Sequence, residues 1–159
     1  MKSVIIYYSF SGNTRKVAEV LEAHLRTKGE VELIGLKPTQ ETKAFLAQCA
    51  QALRRVRTEL EPVKFDLSEY KGIFLGTPVW AFAPVPALNT FLDKCEGVNG
   101  KHVTLFTTYG SGTGNQKCLD SMQNALTKKG VSNFSRFSIQ QFKVKDNDFV
   151  LSEIRKAGI

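Results

Sequence analysis

Cysteine is scarce in this chain: Cys49, Cys95 and Cys118 are odd in number, far apart and outside any C-x-x-C pattern. That spacing argues against both a disulfide framework and a thiolate zinc site. Each thiol reads instead as a small apolar residue of the kind found in a reducing compartment. Histidine is scarcer still, at two. His24 falls within a helical pattern and His102 opens a strand, neither with a carboxylate or thiol at ligand spacing, so both read as structural. No apolar run approaches the ~20 residues that cross a bilayer as a helix. The N-terminus has one early lysine and an apolar stretch without a small-residue cleavage site, which reads as a core strand. The cytoplasm is the expected location.

Several catalytic signatures are missing as well. Tyr7-Tyr8-Ser9-Phe10 places no acidic residue at the end of the first strand, which excludes a phosphate-accepting receiver. No G-x-x-x-x-G-K-S/T occurs, so a nucleotide-hydrolysing P-loop is excluded. No cysteine lies near the first loop, as a cysteine-dependent phosphatase would need, and no G-x-G-x-x-G follows the first strand. Acidic charge is also short, with 15 Asp+Glu against 22 Lys+Arg, leaving +7 and a pI near 9.4. The excess is spread along the chain, and the one dense cluster is Arg54-Arg55-Val56-Arg57. Spread charge of this kind marks a solvated surface, with an anionic ligand or acidic partner as the next reading. No zinc finger, RNP-type strand or basic heptad region accompanies it, so nucleic acid is not an expected partner.

What is present is an alternation of strand and helix patterns from end to end. Strands are expected at Ser3–Ser9, Val31–Leu36, Ile73–Thr77, Val103–Thr108 and Phe134–Ile139. Helices are expected at Asn13–Lys28, Glu41–Val56, Pro84–Cys95, Asn115–Lys129 and Asp146–Ala157. Gly29, Gly130 and Gly158 stand where helix C-caps belong. Five βα units predict one α/β domain over residues 1–159, a doubly wound five-stranded parallel sheet in the order 2-1-3-4-5. Ligands of such sheets bind beyond the carboxyl ends of the strands, where the strand order reverses. The loops after the first, third and fourth strands are therefore the ones that could carry function.

All three loops are unusual. Ser9-Phe10-Ser11-Gly12-Asn13-Thr14 sets three hydroxyls and a glycine between a strand and a helix N-terminus. There the backbone N–H groups lack partners and the dipole is positive, so a phosphate is favoured. An N-cap needs one such residue, and this loop has three. Gly76-Thr77-Pro78-Val79-Trp80-Ala81-Phe82-Ala83-Pro84-Val85-Pro86 holds the one tryptophan in a proline-stiffened segment. A loop tip is a poor place to hide an indole, and a flat aromatic ligand would stack on it. Thr107-Thr108-Tyr109-Gly110-Ser111-Gly112-Thr113-Gly114 adds an aromatic face and backbone free to approach a ligand closely. Together the loops imply a planar heterocycle on a phosphorylated tail.

At these residues the chain resembles the flavodoxins. Ser9-Phe10-Ser11-Gly12-Asn13-Thr14 fills every defining position of their phosphate loop, T/S-x-T/S-G-x-T. Gly76-Thr77-Pro78-Val79-Trp80 and Thr108-Tyr109-Gly110-Ser111-Gly112 are similar to the two ring-holding loops of short flavodoxin-like proteins. The resemblance implies non-covalently bound FMN as the cofactor. It implies Ser9, Ser11, Gly12, Asn13 and Thr14 as the phosphate site. The ring would be held by Thr77, Pro78, Val79, Trp80, Ala81 and Phe82, and by Thr108, Tyr109, Gly110, Ser111 and Gly112. The implied function is electron transfer to a redox partner protein or small acceptor, with an NAD(P)H-dependent reductase acting on quinones or similar acceptors as the alternative. Two features depart from the family pattern. Electron-carrying flavodoxins are strongly acidic whereas this chain is basic, which predicts a less negative potential. Val79–Ala83 also lacks the glycine that many members place beside the flavin to hold its one-electron form.

Overall fold

The computed structural model describes residues 1–40, 47, 50, 54, 56–110 and 112–159. Most of the expected helix Glu41–Val56, together with Cys49, Arg55 and Ser111, lies outside the described residues. Five strands are present: β1 (Ser3–Tyr7), β2 (Val31–Gly35), β3 (Gly72–Pro78), β4 (His102–Tyr109) and β5 (Asn133–Gln140). Among the described residues the helices are α1 (Asn13–Arg26), α2 (Pro86–Lys94), α3 (Asn115–Thr127) and α4 (Asn147–Lys156), with a short 3-10 turn at Gln141–Lys143. The strands pair in parallel in the order β2-β1-β3-β4-β5, as expected.

Burial on both faces explains the near-continuous apolar runs of the central strands β1 and β3. Val4, Ile6, Ile73, Leu75, Val103 and Leu105 pack beneath Leu88 and Phe91 of α2 and Leu119 and Met122 of α3. On the other face, Ile5, Phe74, Phe106 and Phe137 meet Val17 and Leu21 of α1 and Val150 and Ile154 of α4. The Phe106 ring stacks on Phe137 at 5.4 Å and crosses β3 at Gly76, where a β-carbon would overlap it. Only glycine fits there.

Helix ends differ from expectation for local reasons. The second described helix begins at Pro86 and not Pro84, because Val85, preceding a proline, is held extended at ψ 156°. Asp146 is the cap of α4 and not its first residue; its carboxylate accepts from the Phe149 N–H at 3.0 Å. At the opposite edge from the loops, Lys101 Nζ donates to the carbonyls of Leu67, Ser68 and Tyr70, each at 2.7 Å. This ammonium closes the turn that feeds β3.

Candidate ligand-binding cleft

The loop after β1 turns at Gly12, whose φ of 89° lies in the left-handed region that glycine adopts without strain. Its carbonyl accepts from Lys16 N at 3.0 Å and so starts α1. The three hydroxyls separate into different tasks. Ser9 Oγ accepts from Arg15 N at 3.2 Å and caps the helix. Thr14 is buried and its hydroxyl shares a 2.7 Å hydrogen bond with that of Thr108. Ser11 is exposed, lines the cleft beside Asn13, and has no hydrogen-bond partner among the described residues. No described group accepts the N–H of Asn13 or Thr14. The first turn also carries no acidic side chain, so nothing in the turn itself compensates its positive end.

The loop after β3 is built on buried Thr77. Its hydroxyl donates to the Pro78 carbonyl at 2.9 Å and accepts from Val85 N at 3.3 Å, tying both ends of the loop. Val79 N donates to the Thr108 carbonyl at 2.9 Å, which fixes the loop to β4. Trp80 and Ala83 exchange both backbone hydrogen bonds, at 3.1 and 2.9 Å, around a tight two-residue turn. The turn residues Ala81 and Phe82 have φ of 47° and 65°, a conformation costly for residues with a β-carbon.

That turn folds the indole inward. Trp80 is 6% exposed, and Tyr8 and Phe10 meet it edge-to-face at 5.7 and 5.8 Å. The expected exposed indole at a loop tip is thus corrected: Trp80 belongs to the core and presents one side to the cleft. Phe82, at 52% exposure, turns the other way. Its ring occupies the space of a β-carbon at Gly114, with Lys117 Nζ 5.7 Å from its centroid.

The three loops enclose a cleft of about 490 Å³, well within the range of small-molecule sites. Phe10, Ser11, Asn13, Pro78, Val79, Trp80, Ala81, Thr108, Tyr109, Gly110 and Gln141 line it. Nine of these were expected from sequence: all but Phe10 and Gln141. Ser9, Gly12, Thr14 and Thr77 stand behind the lining as its scaffold, through the bonds given above. Phe82 and Gly112 are outside the lining, and Ser111 is outside the described residues. Phe10 sat inside the first motif unremarked. Gln141 follows β5, next to β4 in the sheet, and the expected strand order alone could have pointed to it.

The chemistry of the lining is narrow. Among the described residues it contains no carboxylate, imidazole, amine or thiol, and Tyr109 is the one titratable side chain. Among the described residues no cluster of His, Cys, Asp or Glu could hold a metal. One end offers the Ser11 hydroxyl and N–H groups of Asn13 and Thr14 without a partner among the described residues, on a helix N-terminus, which suit a phosphate. The middle offers aromatic and aliphatic walls, which suit a flat ring. The residues present fit a phosphorylated planar heterocycle.

A family model described as flavodoxin matches residues 2–133. Solved structures share the fold at low identity. A flavoprotein of Lactobacillus acidophilus in complex with FMN is 21% identical, with 92% of this chain and 98% of that one covered and a TM-score of 0.66. An NADH:FMN oxidoreductase in its apo form is 20% identical over 99% and 86%, with a TM-score of 0.69. Oxidised flavodoxin 1 of Bacillus cereus is 19% identical over 98% of both chains, with a TM-score of 0.59.

Proposed function

This chain belongs to the flavodoxin family, and on that premise we propose that it is an FMN-binding redox protein that passes electrons to a partner protein. FMN, when bound, supplies the redox chemistry; the protein positions it and sets its surroundings. Ser11, Asn13 and the N–H groups of the first α1 turn hold the phosphate. Trp80 and Tyr109 wall the ring, while Val79, Thr108 and Gly110 bring backbone to its edge. Buried Thr77 and Thr14 keep those loops in place before the cofactor arrives, which lowers the ordering cost of binding. The observation that carries the electron-carrier reading is the lining itself. Among the described residues it holds no acid, imidazole or amine, and so none that would hand a proton to a reduced organic acceptor beside the flavin.

The basic surface sets the expected potential. One positive charge about 10 Å from the ring, at an effective dielectric of about 20, contributes roughly 1.7 kcal/mol, or about 70 mV for one electron. A net charge of +7 therefore favours a less negative midpoint than in an acidic flavodoxin.

The second reading is an NAD(P)H-dependent FMN oxidoreductase acting on quinones or similar small acceptors. It is favoured by the likeness to the apo NADH:FMN oxidoreductase over nearly the entire chain. Anaerobic mixing of the FMN-loaded protein with NADH or NADPH separates the two. A carrier keeps its oxidised flavin absorbance for minutes, whereas a reductase bleaches within seconds.

A further inference from the structure

Gln141 reaches the cleft from an unexpected place. It begins the 3-10 turn directly after β5, and β4 separates β5 from the strand that carries the tryptophan loop. Two consecutive glutamines address the same backbone unit. Gln140 Nε2 donates to the Gly110 carbonyl at 3.3 Å. The Gln141 carboxamide lies over the Gly110 α-carbon, so that a β-carbon added there would stand 3.3 Å from Nε2 and 3.4 Å from Oε1. Gln140 thus anchors Gly110 by a hydrogen bond, and the lack of a side chain at Gly110 leaves room for the Gln141 carboxamide beside it. Gln141 also lines the cleft, and it has no hydrogen-bond partner among the described residues.

The position matters because of where the other polar lining groups sit. Ser11 and Asn13 are at the α1 end, and Thr108 is already committed to Thr14. Beyond Trp80, toward β5, the side chains among the described lining residues that can exchange hydrogen bonds with a ligand are Tyr109 and Gln141. β1 and β5 are three strand spacings apart, about 14 Å at ~4.8 Å each. A ligand with its phosphate on α1 therefore presents its far edge to Gln141. A carboxamide carries a donor and an acceptor side by side. That pairing complements a ring edge on which a carbonyl adjoins an N–H, the imide arrangement of the flavin heterocycle.

We propose that Gln141 is a cofactor-recognition residue, hydrogen-bonding the imide edge of the bound flavin from the end of β5. This rests on the FMN reading above and extends it to a strand outside the three loops. Its side chain is exposed and makes no hydrogen bond within the described fold, so replacing it leaves the scaffold intact.

The test compares FMN dissociation constants of the wild type, Gln141→Ala and Gln141→Met by flavin fluorescence quenching, with the apo-protein unfolding midpoint as a folding control. Methionine keeps the bulk over Gly110 and loses both hydrogen-bonding groups. The expected result is about tenfold weaker binding for both variants, the loss of one or two ligand hydrogen bonds, with unchanged unfolding midpoints. Gln141→Glu adds a second readout. A carboxylate at that edge should shift the flavin midpoint potential to more negative values. Wild-type affinity in Gln141→Met would assign the residue to packing alone and overturn the proposal, as would wild-type affinity in both variants. A wild-type protein that takes up no FMN would overturn the FMN reading and this proposal with it.

Discussion

The hydroxyls of Thr14 and Thr108 lie 2.7 Å apart inside the protein and join the first turn of α1 to the end of β4. Both residues are almost wholly buried, so this bond forms away from water. It locks the loop that would take the phosphate to the strand whose last residues wall the ring. Replacing one threonine by valine leaves the other hydroxyl buried and unpaired, at a cost of about 1–3 kcal/mol. The double variant Thr14→Val/Thr108→Val should recover most of that loss, because neither hydroxyl then needs a partner. Urea unfolding of the four proteins gives the coupling directly, and strictly additive losses would contradict it.

Gly76 is predicted to tolerate no side chain. Its α-hydrogen faces the Phe106 ring, which Phe137 backs in a stacked pair, so the ring has little room to retreat. Gly76→Ala should cost about 1–3 kcal/mol through overpacking. Phe106→Leu in the same background should return part of it. A denaturation midpoint equal to wild type in Gly76→Ala would contradict this account of the β3–β4 contact.

Strain is concentrated in the turn that buries Trp80. Ala81 at φ 47° holds a left-handed conformation that costs an L-residue about 1–2 kcal/mol. Ala81→Gly removes that penalty but enlarges the freedom of the unfolded chain, which offsets part of the gain. A net stabilisation of about 1 kcal/mol is expected. A destabilised Ala81→Gly, measured by thermal unfolding, would show that the turn is not strained at this residue.

Acid should weaken the fold through Glu69. Its carboxylate sits between the ammonium groups of Lys2, at 2.6 Å, and Lys64. Hydrogen bonds from Lys2 and then Lys64 hold its pKa down at about 2, against an ordinary 4.5. A carboxyl with a depressed folded pKa stabilises above its unfolded value and loses that contribution as pH falls toward the folded one. The window is therefore pH 4.5 down to about 2. Glu69→Gln should be less stable than wild type at neutral pH, and the difference should close across that window. A difference independent of pH would place the effect of Glu69 elsewhere.

The fold was legible because its strands and helices alternate cleanly and the central strands β1, β3 and β4 are buried on both faces. Val4-Ile5-Ile6-Tyr7 supplies residues to both cores in turn, and no helix competes for that pattern. Element ends were less legible where a single residue decides them, as Val85 does before Pro86. The cleft was legible as three loops, since strand order alone brings them together. Side-chain directions within it were not. Trp80 turns inward because Tyr8 and Phe10 receive it, and Phe82 turns outward because Gly114, thirty-two positions later, leaves room for its ring. Neither relationship has a local signal. Gln141 was missed for a similar reason: its role depends on lying beside Gly110 across the β4–β5 pairing.

The central claim is that the loops after β1, β3 and β4 form one FMN site. A fluorescence titration of the purified protein with FMN, set beside Ser11→Ala and Trp80→Phe, tests it most directly. The account predicts quenching that saturates at one flavin per chain, with weaker affinity in both variants. Absence of quenching in the wild type would contradict it, leaving the first loop to serve its own helix and removing the basis for a redox role.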